Sequence, residues 1–226
     1  MGKKIHPIIF RMLTNKEWGS RWYADRKQVP ALLREDVSIK TFLLKRLRES
    51  FVSAIVFDRR PKALSIVLHS ARPGVIIGRG GTGVEDLKKE IKSKFLQNKN
   101  MDVQIDIKEV ANPSLSARLL ALDVVFAIEK RVPFRKAAKQ VMAKVVKAGA
   151  KGMKIRLSGR LNGVEIARTE KFVFGSLPLS TIRANIEYAH EIAYTLFGTI
   201  GVKVWIYTGE VFKDTKNYVD AEKRKT

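Results

Sequence analysis

Residues 72–83, which read Arg72-Pro-Gly-Val-Ile-Ile-Gly-Arg-Gly-Gly-Thr-Gly83, contain a Gly-x-x-Gly loop that consists of Gly78, Arg79, Gly80 and Gly81. The loop lies between a predicted short helical turn and a helix that is expected to begin near Thr82. Glycines let a nucleic-acid backbone approach the chain, and the amides at a helix start favour phosphate. Taken alone, these four residues fit an ordinary glycine turn better than an RNA-binding loop. The choice between the two therefore depends on the neighbouring helices and strands.

Those neighbouring elements predict a compact α+β unit. Asp36 is expected to cap a helix over about 36–49, and the apolar, β-branched segments 51–57 and 63–69 predict a hairpin. Alternation of apolar and polar residues over 101–107 predicts a further strand. The order of helix, two strands, loop, helix and strand resembles a type II KH domain, an RNA-binding module. We assign residues 36–110 to it and residues 1–35 to an N-terminal extension.

A dinucleotide-binding interpretation competes for the same glycines. Gly78-x-Gly80-x-x-Gly83 satisfies that fingerprint, and Asp102 follows at a tolerable distance. In the dinucleotide fold, however, the glycines open directly from the end of a strand, whereas residues 72–77 intervene here. The strands before the loop also predict an antiparallel hairpin, so this interpretation is the weaker one.

The charge balance indicates a polyanionic partner. The chain has 226 residues, 44 lysines and arginines against 22 acidic residues, a net charge of +22 and no cysteine. Residues 1–110 hold 23 basic and 12 acidic residues, and residues 111–226 hold 21 and 10, so both halves carry the excess. No apolar stretch is long enough to cross a bilayer, and we expect a cytoplasmic protein without disulfides.

The second half predicts another α+β domain over residues 111–212. Helices are expected over 113–131 and from Pro133 to about Gly149, followed by strands at 153–158, 165–174 and 201–207 around an Asn-Gly turn. Residues 181–194 fit both a helix and a strand by periodicity. The polar residues 213–226 predict a flexible tail.

A basic face is expected on the helix that follows Pro133. Arg135, Lys136 and Lys139 lie on one side of it, Arg131 precedes it, and no acidic residue occurs between Lys130 and Lys147. Because like charges at this spacing cost some helix stability, phosphate contact is a better explanation than a merely soluble face.

The N-terminal aromatic residues and the histidines point less clearly to a function. Trp18, Arg21, Trp22 and Tyr23 are equally consistent with stacking on bases and with packing on the domain. The three histidines are scattered, and neither a His-Glu-x-x-His motif nor a Walker loop occurs. We therefore expect no catalytic residue, metal, cofactor or small-molecule substrate.

Two longer segments carry a more specific resemblance. Residues 151–170 and 198–210 resemble bacterial small-subunit ribosomal protein three, and residues 6–7, 18–24, 71–78 and 131–136 follow that family's order. The resemblance implies a type II KH domain followed by an α/β domain with two helices on a mostly antiparallel sheet. It also implies that residues 181–194 belong to that sheet.

The same resemblance implies a function in the small ribosomal subunit. Expected partners are 16S rRNA in the subunit head, ribosomal proteins ten and fourteen, and mRNA at the channel through which it enters. In the family the basic residues around the second helix face incoming mRNA and help to open its secondary structure; here they are Arg131, Arg135, Lys136 and Lys139. Further candidates for rRNA contact are Lys3, Lys4, Arg11, Trp18, Arg21, Trp22, Lys147, Lys151, Arg160 and Arg168.

The chain departs from the family at three places and leaves two alternatives open. The family has glycine near Ile8 or Ile9, a second glycine at Asn162, and a different sequence where this chain reads Leu177-Pro-Leu-Ser180. We therefore do not carry over the family's RNA contacts at these positions. The alternatives to a ribosomal protein are a free-standing KH-type RNA regulator and a nucleic-acid-processing enzyme.

Overall fold

The computed structural model describes residues 4–12, 14–60, 63–96 and 101–212. Lys3 and the tail 213–226, for which predictions were made, lie outside the described residues. The chain begins with a short helix, α1 (Pro7–Phe10), and a two-residue strand, β1 (Ser20–Arg21).

The first domain has the order α2 (Val29–Arg46), β2 (Val52–Arg60), β3 (Ala63–Ser70), α3 (Pro73–Ile77), α4 (Thr82–Phe95) and β4 (Asp102–Glu109). Its sheet has the order β1-β2-β3-β4, in which β2 and β3 are antiparallel and the pairs β1/β2 and β3/β4 are parallel. Alternate residues of β2 and β3 point into a core shared with Ile39, Leu43 and Ile91, all fully buried. The predicted hairpin and type II KH topology are confirmed.

Helix α2 begins a full seven residues before the predicted start. Val29 is its first residue and Pro30 lies in its first turn, where a missing N–H is tolerated. Asp36 is therefore not a helix cap, and that prediction was wrong. It is buried instead and accepts hydrogen bonds from Trp22 Nε1 at 2.9 Å and Arg59 Nε at 2.8 Å.

The second domain places two helices on one antiparallel sheet. The helices are α5 (Ala117–Glu129) and α6 (Phe134–Lys147). The strands are β5 (Gly152–Gly159), β6 (Arg168–Gly175), β7 (Ala184–Thr195) and β8 (Gly198–Glu210), in the order β6-β5-β8-β7. The predicted α+β class is confirmed, with a short 3-10 turn at Pro113–Leu115 where the start of the first helix was expected.

Residues 181–194 fit two periodicities, and the structure forms an edge strand over 184–195 rather than a helix. Alternate residues such as Ala189 and Ala193 are buried, and the strand pairs with β8 over its whole length. The expectation taken from the family resemblance is thus confirmed. The Asn-Gly turn also forms, with Asn162 at φ 60° and Gly163 at φ 79°, but β6 starts at Arg168, three residues later than predicted.

Helices α5 and α6 cover one face of the second sheet, and their apolar residues share a core with Met153, Ile155, Val202 and Val204. We call the other side of this sheet the open face. The N-terminal segment packs against one end of it, because α1 contacts β7. Within the described ranges, no helix combines the length and apolarity that a membrane-spanning segment needs.

Candidate nucleic-acid interface

The Gly-x-x-Gly loop joins α3 to α4 through a 3-10 turn over Arg79–Gly81. Gly78 has φ 71° and ψ −175°, a region that is essentially restricted to glycine. Arg79 is exposed at the tip of the loop. The backbone here is accessible and a positive side chain stands beside it, as the sequence predicts for a phosphate-contacting loop.

Gly83, one residue beyond the start of α4, lets α3 and α4 pack closely. A Cβ on this residue would lie 2.5 Å from the carbonyl oxygen of Ile76 and 3.0 Å from that of Ile77. The glycine therefore fixes the angle between the two helices that hold the loop. This packing role is distinct from the conformational role of Gly78.

The dinucleotide interpretation fails on geometry. In that fold the glycine loop leaves the end of a strand, but here the helix α3 separates β3 from the loop. Asp102, the expected ribose partner, lies at the start of β4 and pairs with Lys92 at 3.4 Å. The glycines of this chain thus belong to the KH arrangement.

Apolar side chains flank the loop on its helix α3 side. Val75 is 59% exposed and Ile77 is 41% exposed, whereas Ile76 between them is buried in the core. Exposed apolar groups beside an accessible glycine backbone and a cation are a suitable surface for unstacked bases. The exposed groups of the loop region thus match the sequence-based prediction of an RNA-binding loop.

The turn between α5 and α6 holds Arg131 in a left-handed conformation, with φ 62°. The Arg131 N–H donates to the Ile128 carbonyl and the Val132 N–H to the Ala127 carbonyl, both at 2.9 Å, which closes the end of α5. Glycine usually occupies this position, and another residue there costs about 1 kcal/mol. An exposed arginine at a strained position is a candidate for a functional side chain.

Helix α6 buries Phe134, Ala138, Val141 and Val145 against the sheet. Its outer side carries the residues that we call, together with Arg131, the α6 basic face: Arg135, Lys136 and Lys139, all exposed. Arg135 and Lys136 lie in the first helical turn, where positive charge opposes the helix dipole. The first turn contains no acidic residue to offset it.

Glu170 of β6 is a partner of this face that the sequence did not reveal. The Arg135 guanidinium donates two hydrogen bonds to its carboxylate, Nε to Oε2 at 3.2 Å and Nη2 to Oε1 at 3.1 Å, and Arg168 Nε lies 3.4 Å from Oε1. The hydrogen bond and the charge of Glu170 raise the pKa of Arg135. The hydrogen bond from Arg135 likewise lowers the pKa of Glu170.

Comparisons with known proteins cover both domains. The family model described as "Ribosomal protein S3, C-terminal domain" matches residues 124–206, and the model described as "KH domain" matches residues 38–115. A protein of Caldicellulosiruptor saccharolyticus named "Small ribosomal subunit protein uS3" is 45% identical over 211 residues, 93% of this chain and 94% of that protein. The protein of the same name from Caldanaerobacter subterraneus subsp. tengcongensis is 43% identical over 98% of this chain and 99% of that protein. The one from Chromobacterium violaceum is also 43% identical, over 93% of this chain and 89% of that protein.

The chain belongs to the uS3 family. The resemblance drawn from its motifs is confirmed, and so is the expectation that it is not an enzyme, because the family is one of ribosomal proteins. The described part of the chain holds no cluster of three or more histidine, aspartate or glutamate residues suited to a metal ion.

Arg11 of this uS3 chain was expected to contact RNA, and the structure contradicts that expectation. The residue is fully buried, and its guanidinium donates hydrogen bonds to backbone carbonyl oxygens of Pro7, Pro178, Leu179, Thr181 and Ala184 at 2.8 to 3.3 Å. Burial lowers its pKa. Arg11 fastens the N-terminal segment to the segment before β7, and its side chain has no exposed area that RNA could contact.

The N-terminal aromatic residues divide between the two expected roles. Trp22 packs, because its indole N–H binds the buried Asp36, while Trp18 is 58% exposed and Tyr23 is 94% exposed. Arg21 forms an exposed ion pair with Glu17. Trp18 and Tyr23 of this uS3 chain are therefore the aromatic residues of this segment with rings exposed for stacking on bases.

The other residues predicted to contact rRNA lie on the surface, and one of them, Arg160, also binds backbone carbonyl groups. Lys4, Lys147, Lys151 and Arg168 are exposed. Arg160 donates to the carbonyl oxygens of Val164 at 3.0 Å and Phe197 at 3.2 Å, so it stabilises the turn before β6 as well.

Proposed function

We propose that this chain is a structural constituent of the small ribosomal subunit and binds 16S rRNA in the subunit head. Its relatives carry the name of a small ribosomal subunit protein. Both halves of the chain carry excess positive charge on folded surfaces, which suits a phosphate-rich partner that extends over both domains. The Gly-x-x-Gly loop is the proposed RNA-binding loop, and further proposed rRNA contacts are the exposed residues Lys4, Trp18, Lys147, Lys151 and Arg168.

We further propose that the α6 basic face contacts mRNA where it enters the subunit, and helps to open its secondary structure. The observation that carries this proposal is the pair of cations in the first turn of α6, beside a strained Arg131. Arg135 is already paired with Glu170, but Lys136 has no ion pair within the described residues, and its charge and the strained backbone of Arg131 disfavour the isolated fold. An anion that binds at this helix start offsets the positive charge. Fixed charges can hold separated strands without a nucleotide site, because translocation by the ribosome supplies the work.

The proposed surroundings follow from the family resemblance. Ribosomal proteins ten and fourteen are the expected neighbours in the head, and the proposed location is the cytoplasm. The exposed apolar residues at the β7–β8 turn, Leu196 at 85% and Phe197 at 55%, support a protein contact at that end of the second domain.

Co-sedimentation tests the ribosomal assignment. We expect a tagged chain, expressed in its source cells, to sediment with small subunits and to be released by salt as phosphate contacts are lost. A chain found mainly free of subunits but bound to a defined set of RNAs would instead indicate the regulator. Turnover of RNA or damaged DNA by the purified chain would indicate the enzyme.

Translation through a stable mRNA hairpin tests the α6 basic face. The variant Arg135→Ala/Lys136→Ala/Lys139→Ala is expected to slow reading of the hairpin while small subunits still contain the protein. Its control, Lys40→Ala/Lys89→Ala/Lys108→Ala, removes three exposed charges from the first domain. Equal speed of the two variants through the hairpin would refute the mRNA contact.

A further inference from the structure

The second sheet sorts its charges by face. Lys154, Arg156, Lys171 and Lys203 alternate with core residues along β5, β6 and β8, which puts their side chains on the open face. In contrast, the carboxylates on the helix-covered side bind groups of the helices and their connections. Glu170 binds Arg135, Glu187 accepts from the Ala117 N–H at 3.0 Å, and Glu191 lies 3.2 Å from Arg118 Nε.

Three of the open-face cations form a continuous row across neighbouring strands. Lys171 is paired in register with Arg156, and Arg156 with Lys203, which in turn is opposite His190. Adjacent strands lie about 4.8 Å apart, so the row spans roughly 10 Å. Within the described ranges no ion pair offsets any of the three cations. Like charges directly opposite each other destabilise a sheet, so folding alone does not explain the row.

An aromatic pair lies beside the row. Trp205 and Tyr188 are paired in register on β8 and β7, with ring centroids 5.1 Å apart. Lys154 Nζ lies 5.5 Å from the Trp205 ring centre, and burial together with the charges of Lys4, Lys171 and Arg156 lowers the pKa of this lysine. Both rings are only partly buried. Cations and aromatic faces therefore share one surface.

The N-terminal segment turns this surface into a groove. Arg11 fastens the segment through its five carbonyl contacts, and His6 packs edge-on against Tyr188 at 4.8 Å. The groove between the segment and the sheet has a volume of about 540 Å³ and is lined by Lys4, Lys154, Arg156, Lys171, Lys203 and Trp205. That volume falls within the range of sites that hold a small ligand or a nucleotide.

We propose that this open-face groove binds a single-stranded or looped RNA segment, with phosphates along Lys171, Arg156 and Lys203 and a base against Trp205 and Tyr188. The proposal rests on the RNA-binding function proposed above and adds a site separate from the Gly-x-x-Gly loop and the α6 basic face. An acidic peptide would use the cations equally well. RNA is the better fit because the groove also places aromatic rings beside them, and stacking on such rings is a contact available to every base.

RNA binding by the full-length chain at several salt concentrations tests the proposal. The open-face variant Arg156→Gln/Lys171→Gln/Lys203→Gln is compared with Lys40→Gln/Lys89→Gln/Lys108→Gln, which removes the same number of charges. The probe is a fluorescent 16S rRNA head fragment. Loss of three phosphate contacts reduces the slope of log K against log salt by about 2 for single-stranded RNA. We expect that reduction for the open-face variant and a smaller one for the control.

The readouts separate a binding defect from a folding defect and from failure of the proposed function. The open-face variant is expected to unfold at the same or a higher temperature, because it removes like-charge repulsion. If the slopes of log K against log salt are equal for the two variants, while the wild type binds RNA and is present in subunits, the groove proposal alone is overturned. Absence of the wild type from subunits and from RNA would overturn the proposed function. Two results together would indicate an acidic peptide as the ligand and overturn the proposal that the groove binds RNA. They are displacement of the RNA by polyglutamate at equal charge concentration, and ultraviolet crosslinking of the RNA to Trp205→Leu that is as strong as to the wild type.

Discussion

Arg135 of α6 and Glu170 of β6 are joined by two parallel hydrogen bonds, 3.2 Å and 3.1 Å long, across the edge of the second domain. This geometry holds the guanidinium plane in a fixed orientation. One cation of the α6 basic face is thus positioned by the sheet, while Lys136 and Lys139 extend from the helix alone. Within the described residues, Arg135 is the member of the α6 basic face that an ion pair orients.

The ion pair predicts a lowered pKa for Glu170, which NMR titration of its carboxyl group measures. Because the folded state favours the carboxylate, the pair contributes stability above the ordinary pKa of a glutamate, and this is lost as pH falls through the lowered value. In Arg135→Gln the pKa is expected to move back up in part, since Arg168 remains. An unchanged pKa in that variant would contradict the pair.

Gly83→Ala is predicted to destabilise the first domain. Its Cβ would lie 2.5 Å from the Ile76 carbonyl oxygen, so α3 and α4 would have to separate and the Gly-x-x-Gly loop would shift. The matched control is Gly74→Ala in α3, where nothing lies within 4 Å and alanine favours the helix by roughly 0.5–1 kcal/mol. Chemical denaturation compares the two, and equal stabilities would rule out the close packing at Gly83.

Features that depend on neighbouring residues in the chain were predictable from the sequence. The hairpin of β2 and β3, the loop before α4 and the alternation in β5 each follow from local periodicity or turn chemistry. Residues 181–194 show the limit of such prediction, because alanine and isoleucine at these spacings fit a helix and a strand equally well. Pairing with β8, a tertiary contact, decides between them.

Partners distant in sequence account for what was missed. The local sequence around Asp36 predicts a helix cap, but in the structure Asp36 binds Trp22 and Arg59. The local sequence around Arg11 predicts a surface cation, but Arg11 binds backbone carbonyl groups more than 160 residues away. The row of cations on the open face likewise could not be predicted from the order of residues in the sequence. Lys171, Arg156 and Lys203 become neighbours only once the strand order β6-β5-β8 is known.

Asp36→Ala is predicted to cost about 3 kcal/mol of stability, the lower end of the range for breaking a buried ion pair, because the buried Arg59 loses Asp36 but keeps Glu35 at 3.1 Å. The indole N–H of Trp22 also loses its acceptor. Urea unfolding followed by tryptophan fluorescence measures the loss. The control, Asp106→Ala, removes an exposed carboxylate of β4 and should change stability by about 0.5 kcal/mol or less. A similar small loss for Asp36→Ala would show that the buried network contributes little.

Arg131→Gly separates stability from RNA contact at the α5–α6 turn. Glycine adopts φ 62° without steric cost, so the variant is expected to be as stable as the wild type or more stable by up to about 1 kcal/mol. The same change removes an exposed cation next to Lys136, so reading of structured mRNA is expected to weaken. Arg131→Asn is the second comparison, because asparagine tolerates this conformation and also lacks the charge. If both variants are stable and read hairpins as fast as the wild type, the strained arginine has no part in mRNA contact.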